Sequence, residues 1–465
     1  MSLIIPANSL SGGFSIDNSC RFNSGSSDYL VRTMDSAPTL ATKATISYWF
    51  KRTKLDAWGG MGGYSASSGT GTNNFQIGFN DANYGYFWQN SPALYFYTSA
   101  VNRDSSAWKN VVISIDTTQG TASNRVKYYE NGIRTTSFVT ETYPSQNDAL
   151  NVNKNGNLFS VGRFTNTGGT QYYYDGYFAE VAFVDGLALA PTDFGEFDSD
   201  SGIWKPIDVS GLTFGNNGFY LDFEDSGDLG DDESGNGNDF AETNLAAIDQ
   251  STDTCTNNFA TLNVLNKGTS VSLSEGNLAY TAPSGSFASV LSTIGVSQGK
   301  WYAEYQWKSG SNSHVGIGKE NINYNHYLSY TANGYSYYKD GRKFNNSSAS
   351  SYGNSYAVDD IIGVALDLNN GAIWFSKNGT WQNSATLTEI QNGTTTNAAF
   401  TSLSGEFFFG TGMGNSNELA YFNFGSPPYS ESGGETDGNG YGNFAHAVPS
   451  GFLSLNTKNL SEVLG

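Results

Sequence analysis

The clearest alternation of apolar and polar positions lies in residues 358–381, VDDIIGVALDLNNGAIWFSKNGTW, which predicts two strands and two turns. Residues 361–368 form a β-branched and apolar run, and residues 372–376 form a second one. Between them, Asn369-Asn370-Gly371 tolerates positive φ and breaks the run with a turn. Asn378-Gly379 predicts another tight reversal, because Asn-Gly beside apolar runs is a strong hairpin signal.

This stretch resembles the core of the SPRY domain family, which has a D-hydrophobic-I-G strand, a D-x-x-x-G turn and a strand ending in N-G. The matching residues are Asp360, Ile362, Gly363, Asp367, Gly371, Phe375, Asn378 and Gly379. The segments GKWYAEYQW (299–307), HVGIG (314–318) and AYFNFG (420–425) stand where that family has further strands. The resemblance covers roughly residues 261–425. It implies a two-sheet antiparallel sandwich that binds through its loops and usually catalyses nothing.

The N-terminal half also carries short alternating runs separated by turn signals, which predict strands. They are TISYWFK (45–51), FQIGF (75–79), YGYFW (84–88), ALYFY (93–97), WKNVVISID (108–116), RVKYYENG (125–132), LFSVGRF (158–164) and YFAEVAFVDG (177–186). Residues 56–74 form a glycine-rich loop that is too long for a simple hairpin. Loops of that length on a rigid scaffold are often functional or mobile.

The order of these runs resembles laminin-G-like and concanavalin-A-like lectin sandwiches over residues 28–225. The family landmarks are a W-x-x-V-x-V-x-x-D strand, an L-Y-x-N-G hairpin, an I-G strand and a D-G-x-I-x-E-V-x-h strand. They are matched by Trp108, Val111, Ile113 and Asp116; Tyr129, Asn131 and Gly132; Val161 and Gly162; and Asp175, Gly176, Phe178, Glu180, Val181 and Phe183.

The predicted fold class is all-β, with two antiparallel β-sandwiches of the jelly-roll, concanavalin-A-like kind in tandem. We assign residues 1–225 to the first sandwich, 226–260 to an acidic linker, 261–425 to the SPRY-like sandwich and 426–465 to a C-terminal tail. Within the first sandwich, Pro191-Thr192-Asp193-Phe194 predicts the start of one short helix. The apolar residues of the tail predict docking, either on its own domain or on a neighbour.

The amino-acid composition agrees with an all-β chain, and the net charge argues against some classes of binding partner. The chain has 55 glycines, 15% aromatic and only 14% charged residues, and we find no sustained apolar run at helical spacing. The net charge of −20 argues against nucleic acid and against a polybasic membrane contact. The N-terminal segment has neither a positive region nor a long apolar core, so we expect no signal peptide, and no stretch is long enough for a membrane span.

Few residues point to catalysis or to a transition-metal site. The two cysteines, Cys20 and Cys255, predict buried free thiols, with one disulfide as the alternative. The three histidines lack metal-ligand spacing, so we expect no zinc. No E-x-D-x-x-E strand, G-x-S-x-G elbow, P-loop or HExxH motif occurs. Glu180 and Glu304 are lone strand carboxylates, which we interpret as exposed residues of strand faces.

Calcium is the one cofactor that the sequence indicates. The acidic segment LGDDESGNGND (229–239) resembles a turn of laminin-G-like domains in which loop oxygens lie near calcium. Calcium takes several oxygen ligands from flexible Asp-, Asn- and Gly-rich loops. The predicted ligands are Asp228, Asp231, Asp232 and Asp239. The alternative is a solvated acidic linker, and the segment stands at the end of the domain rather than at the start as in the family.

Aromatic residues in loops are the predicted ligand-binding groups, because carbohydrate is usually held by ring faces together with amide and carboxylate hydrogen bonds. The candidates are Trp58, Tyr64, Tyr324, Tyr327, Tyr330 and Tyr335. The first two lie in the glycine-rich loop, and the four others lie in NINYNHYLSYTANGYSYY (321–338). For any one of them, packing in a core is the alternative interpretation.

The combined motif order resembles lectin-like structural proteins of tailed phages over about residues 18–425. The segments that carry this resemblance are NSCRFNSGSSDYLVRT, WFKR, EVAFVDGLALAPTDFGE, GIWKP, GFYLDF and SGNGND. It implies a non-enzymatic protein of the virion surface, either a head decoration or fibre, or a tail fibre or adhesin. The implied partners are other capsid or tail proteins, host-surface glycan or protein, and further copies of the chain. The alternatives are a structural decoration without a ligand and a glycan-cleaving enzyme.

Overall fold

A computed structural model describes residues 13–285, 287–414, 417–430 and 433–464. The expectation about a signal peptide falls largely on residues 1–12, outside the described residues. The chain divides into two compact units, and the division falls between Thr256 and Asn257. Each unit is built from antiparallel sheets packed around an apolar core, so the prediction of tandem all-β sandwiches is confirmed.

The N-terminal unit consists of short strands joined by turns. Its strands are β1 (Ser19–Phe22), β2 (Tyr29–Thr33), β3 (Lys43–Arg52), β4 (Gly59–Gly63), β5 (Phe75–Phe79), β6 (Tyr84–Gln89), β7 (Leu94–Val101), β8 (Lys109–Asp116), β9 (Val126–Glu130), β10 (Ile133–Arg134), β11 (Phe138–Thr142), β12 (Leu158–Val161), β13 (Arg163–Thr165), β14 (Gln171–Tyr173), β15 (Gly176–Asp185), β16 (Gly195–Phe197), β17 (Trp204–Pro206), β18 (Phe219–Leu221), β19 (Ala241–Thr243) and β20 (Gln250–Ser251). Short 3₁₀ turns span Ala122–Asn124, Pro191–Asp193 and Ala247–Asp249, the second of them at the predicted helix start.

Two large sheets form this sandwich. Sheet A has the order β10-β9-β8-β3-β15-β1-β20, with β18 also paired to β15, and sheet B has the order β11-β7-β6-β5-β4-β12-β2-β19. Alternation along β3 sends Ile46, Tyr48 and Phe50 into the core between the sheets.

 Trp49 packs instead on the outer side of sheet A with Trp108, so β3 is buried on both faces.

The acidic composition of residues 226–260 predicts a linker, but the structure places residues 226–256 within the N-terminal unit. β19 pairs with β2 at one edge of sheet B, and β20 pairs with β1 at one edge of sheet A. Leu229 and Phe240 enter the core. Both cysteines are free thiols; Cys20 is buried and Cys255 is half-buried.

The C-terminal unit repeats the two-sheet plan and adds two helices. Its elements are β21 (Leu262–Lys267), β22 (Ser272–Ser274), β23 (Ala279–Ala282), β24 (Phe287–Val296), β25 (Lys300–Ser309), β26 (His314–Gly318), β27 (Gly334–Tyr338), β28 (Arg342–Asn345), β29 (Ser348–Ser351), β30 (Ile361–Asp367), β31 (Ala372–Lys377), β32 (Thr380–Trp381), α1 (Leu387–Asn392), β33 (Phe407–Gly414), β34 (Glu418–Asn423), β35 (Leu453–Ser454) and α2 (Thr457–Leu464), with a 3₁₀ turn at Thr395–Asn397.

Sheet C has the order β21-β24-β33-β26-β27-β28-β29, and sheet D has the order β22-β23-β34-β25-β30-β31-β32. The hairpin β30–β31 is the one predicted from the apolar pattern, and it places Val364 opposite Phe375. Its turn residue Gly371 has a φ of 63°, which a side chain would strain. Apolar residues of both sheets meet in one core that includes Trp301 and Tyr337.

The C-terminal tail packs on its own unit, which is one of the two predicted alternatives. Phe444 and Phe452 cover Trp374 on the outer side of sheet D, and Leu455 and Leu460 join the main core. β35 adds to β25 as a parallel strand. The helices α1 and α2 were not predicted from the sequence. In the part of the chain that the structure covers, no helix is long and apolar enough to cross a membrane.

Candidate functional site

The C-terminal unit carries a group of stacked, partly exposed rings, which we call the ring patch: Phe287, His326, Tyr327 and Tyr330. The His326 ring lies parallel to both of its neighbours, with centroids 5.1 Å from Phe287 and 3.4 Å from Tyr330. Phe287 is 39% exposed and Tyr330 is 40% exposed. The patch therefore offers ring surface to solvent in a fixed arrangement, rather than as scattered aromatic residues.

The ring patch is positioned by the loop of residues 319–333, which lies directly on the outer side of sheet C. Small residues of the sheet make this close approach possible, since a Cβ at Gly412 would collide with Ser289 Oγ and with the backbone N of Leu328. Ser289 fixes the loop because its backbone N donates to Tyr324 O at 2.8 Å and its hydroxyl donates to His326 O. Leu328 is buried beneath the loop.

A second layer of aromatic residues supports Tyr327. Its ring stacks on His314 at 4.9 Å, and its hydroxyl donates to Ser347 Oγ at 3.1 Å. His314 lies 4.4 Å from Tyr338 and bonds Ser336 Oγ through Nδ1 at 2.9 Å. Burial lowers the pKa of His314 to about 3, and burial also lowers the pKa of His326. Both imidazoles are therefore neutral at physiological pH, and they act as aromatic surface.

The structure separates the four tyrosines predicted in this loop region into two pairs. Tyr327 and Tyr330 lie in the ring patch. Tyr324 packs against the small apolar cluster under the loop and donates to Glu320 O at 2.7 Å. Tyr335 faces the main core and contacts Phe400 at a ring distance of 5.1 Å. Its place on β27, two positions before the core residue Tyr337, is the period-2 signal that could have identified it as a core residue.

Sequence reasoning missed the other two members of the ring patch. His326 lies within residues 321–338, but the sequence analysis considers it only as a metal ligand. Phe287 begins β24, more than thirty residues earlier in the sequence, and only the fold of sheet C brings it to the loop.

In the N-terminal unit, Trp58 lies in a row of rings on the outer side of sheet B. Its ring is 5.4 Å from Tyr86 and 5.9 Å from Tyr172, and both contacts are far from parallel. Tyr172 belongs to the β13–β14 hairpin, which lies on β4 over Gly62. Tyr64, the other predicted residue of this region, is half-buried just beyond β4, and its backbone O accepts from Leu158 N at 2.8 Å. The structure does not bring Tyr64 into the row.

The four predicted calcium ligands lie in one turn region, but their carboxylates face different partners. Asp232 is buried and accepts from Tyr220 N at 2.8 Å and from Asn238 N at 2.8 Å. Asp239 accepts from Asp232 N at 3.2 Å, and Asp228 accepts from Gly230 N at 3.2 Å. Among the described residues, no group of three His, Cys, Asp or Glu side chains converges on a metal position. Asp232 therefore has a structural role as the centre of the turn, and calcium binding stays a prediction.

The interpretation of Glu180 and Glu304 as exposed residues is wrong, since they are 7% and 0% exposed. Glu180 has a φ of 51° where the pairing of β15 with β3 shifts register, and this irregularity turns its side chain towards Tyr220. Tyr220 donates to its carboxyl at 2.6 Å, and burial raises the pKa of Glu180 to about 8. Glu304 accepts from the backbone N of Ala445 and of His446, each at 2.9 Å.

Comparison with known proteins identifies two domain types. Residues 24–193 match the family described as the concanavalin A-like lectin/glucanases superfamily, and residues 300–427 match the SPRY domain family. No curated protein matches the chain. Among solved structures, the SPRY domain of human HERC1 is 18% identical over 35% of this chain and 96% of that chain, with a TM-score of 0.29. Stonustoxin is 19% identical over 35% of this chain and 27% of that chain, with a TM-score of 0.28.

Both matched regions fall inside the two units, one in each. The ring row with Trp58 lies in the first region, and the loop of the ring patch lies in the second. Domains of these two types bind ligands or other proteins. The chain therefore carries a concanavalin A-like domain followed by a SPRY domain.

Proposed function

We propose that this chain is a non-enzymatic binding protein of a phage virion surface, and that the ring patch holds a host-surface glycan. The observation that carries the proposal is the stacked column of Phe287, His326 and Tyr330, of which the outer two rings are each about two-fifths exposed. Such a rigid ring surface suits the apolar face of a sugar, and ordering it on binding costs little entropy. The motif order shared with tailed-phage structural proteins supports the location on a virion.

Polar groups beside the rings would supply hydrogen bonds to sugar hydroxyls. The loop of residues 319–333 is rich in asparagine and includes the exposed Asn323 and Asn325. Arg342 lies with its guanidinium 5.0 Å from the ring of Phe344, next to Tyr338, and adds a donor at the margin. A binding surface of this composition, with rings in the middle and adaptable polar groups around them, is common at interfaces.

The direct test is binding of the purified protein to host cells and to an array of glycans, comparing wild type with Tyr330→Ala. We expect the variant to bind at least about tenfold more weakly, equivalent to about 1.4 kcal/mol. Leu387→Ala is the matched control, because Leu387 is 46% exposed on α1, which packs on sheet D rather than on sheet C. Equal binding by wild type and Tyr330→Ala would contradict the ring patch as the site.

The same assay separates the alternative functions. No binding by a folded wild-type protein would support a structural decoration without a ligand, whereas release of sugar on incubation would establish a glycan-cleaving enzyme. Repeating the assay with a chelator tests the calcium that we propose at Asp228, Asp231, Asp232 and Asp239. Antibodies against the protein should label intact particles of the phage that encodes it, and labelling should distinguish head from tail. Cross-linking on the particle would identify capsid or tail partners and further copies of the chain.

A further inference from the structure

His326, the middle ring of the ring patch, is held in place by its own backbone and by the rings on either side. Its backbone N donates to Asn323 O at 3.1 Å, and its backbone O accepts from the hydroxyl of Ser289. Its ring lies nearly parallel to those of Phe287 and Tyr330, at interplanar angles of 7° and 11°. The plane of the imidazole is therefore fixed, and so is the direction of each ring nitrogen.

One of the two ring nitrogens of His326 is already used within the loop. Nδ1 accepts a hydrogen bond from the backbone N of Tyr327 at 3.1 Å. A neutral imidazole carries one proton, and the nitrogen that accepts a hydrogen bond is the one without it. Burial lowers the pKa of His326, which keeps the ring neutral at physiological pH. The proton therefore lies on Nε2, which makes Nε2 a hydrogen-bond donor.

This donor is left for a ligand. In the parts of the chain that the structure covers, Nε2 of His326 has no hydrogen-bond partner, and it is open to solvent. Nε2 of His446 differs, because it also lacks a partner but is buried. In the free protein, water can satisfy the Nε2–H group of His326. The ring column therefore presents one N–H donor between the edges of two partly exposed rings, those of Phe287 and Tyr330.

The charges near the ring patch favour a neutral acceptor over an anion. The chain has a net charge of −20. Arg342, at the margin of the patch, is already paired with Asp340 at 2.6 Å. Within the described ranges, no lysine or arginine lies over the ring of Phe287, Tyr327 or Tyr330. A carboxylate or sulfate would thus lack a cation over these rings, whereas a carbonyl oxygen needs only the N–H donor.

We propose that His326 makes the ring patch selective for glycans that carry acetamido groups, that is, glycans built from N-acetylhexosamines. Its Nε2–H donates to the carbonyl oxygen of the acetamido group, while the methyl group of the same acetamide contacts the adjacent ring of Tyr330. A sugar with a hydroxyl in that position lacks both the carbonyl and the methyl group, so it gains neither the hydrogen bond nor the apolar contact. This selectivity rests on the proposed function, since the ring patch must first bind glycan.

The test is calorimetric titration of the full chain with chitotetraose and with cellotetraose, which differ only in an acetamido group or a hydroxyl on the second carbon of each sugar. We expect wild type to bind chitotetraose about tenfold more tightly than cellotetraose. His326→Phe keeps a ring in the column but removes the donor, so it should bind the two oligomers equally. Tyr330→Ala should bind both oligomers more weakly, and Leu387→Ala, on α1, should bind both like wild type.

A second measurement uses wild type alone, because His326→Phe also removes the Nδ1 acceptor of the loop. The chain has only three histidines, so nitrogen NMR of isotope-labelled histidine can resolve the ring of His326. The proton should lie on Nε2, and the Nε2–H resonance should shift with chitotetraose but not with cellotetraose. A proton on Nδ1, or equal affinity of wild type for the two oligomers, would overturn the selectivity. Absence of binding by either oligomer would overturn glycan binding at the ring patch, and the selectivity with it.

Discussion

Lys51 and Asp253 form a fully buried ion pair, with Lys51 Nζ 2.7 Å from Asp253 Oδ2 and the two side chains 0% and 1% exposed. Trp108 Nε1 donates to the other carboxylate oxygen at 3.0 Å. Lys51 lies on β3 in the middle of sheet A, whereas Asp253 follows β20 near the end of the unit. The pair therefore fastens the end of the acidic segment to the centre of the N-terminal sandwich.

Removing one charge of this pair should destabilise the N-terminal unit strongly. Asp253→Asn removes the carboxylate charge that faces the buried Lys51 ammonium, and we expect the free energy of unfolding to fall by about 3–5 kcal/mol. The double variant Lys51→Met/Asp253→Leu should recover most of this loss, because it removes both desolvated charges. Urea denaturation of wild type, Asp253→Asn and the double variant measures the free energy of unfolding of each protein. Asp35→Asn is the control, since the Asp35 side chain is 74% exposed and lies 3.9 Å from Arg32, so its loss should change stability by about 0–1 kcal/mol.

Glu180 should make the N-terminal unit less stable as pH rises. Burial, opposed by the bond from Tyr220 and reinforced by Asp222, Glu224 and Asp208, raises its pKa from 4.5 to about 8. Between these two values the folded state holds a proton that the unfolded state has lost, so stability falls by about 1.4 kcal/mol per pH unit. Glu180→Gln should remove this slope and should be the more stable protein at pH 8. The free energies of unfolding of wild type and Glu180→Gln are measured at pH 5 and pH 8. An equal change in both proteins between the two pH values would contradict this role of Glu180.

His314 should have the opposite effect in the C-terminal unit. Burial lowers its pKa from 6.5 to about 3, so between these values the unfolded state is protonated and the folded state is not. Stability of this unit should therefore fall as pH decreases from 6.5, by about 1.4 kcal/mol per unit. His314→Phe keeps an aromatic ring beside Tyr327, and its free energy of unfolding should depend less on pH below 6.5. Glu180→Gln serves as the control, because Glu180 lies in the N-terminal unit and its substitution should leave the pH dependence of the C-terminal unit unchanged.

Glu304 should hold the C-terminal tail in place. Its carboxylate accepts from the backbone N of Ala445 and His446, and Glu304→Gln would present an amide NH₂ to one of these donors. We expect the free energy of unfolding to fall by about 1–3 kcal/mol and protease cleavage to begin within residues 445–464. Mass spectrometry of the fragments locates the first cut. The exposed Glu320→Gln should be cleaved like wild type, and first cuts outside the tail in Glu304→Gln would argue against this role.

Some features of the fold follow from sequence patterns that span only a few residues. The β30–β31 hairpin, the alternation of β3 and the start of the turn at Pro191 follow from short-range patterns, and all three are present. The assignment of residues 226–260 to a linker rested on composition, which does not register that Leu229 and Phe240 enter the core. Nor does composition register that Asp253 pairs with Lys51, 202 residues earlier in the sequence. Tyr327 and Tyr330 were identified as exposed aromatic residues, but their partner Phe287 was not, because it is near in space and remote in sequence.

The sequence by itself determined the strands, the tight turns and the order of the two sandwiches, because side-chain alternation and Asn-Gly turns act within a few residues. Tertiary structure alone decided that Glu180 and Glu304 are buried and that the loop of residues 319–333 rests on the surface of sheet C. These properties depend on desolvation and on contacts between distant strands. Neither is encoded in the local pattern, since each arises only when the sheets have packed.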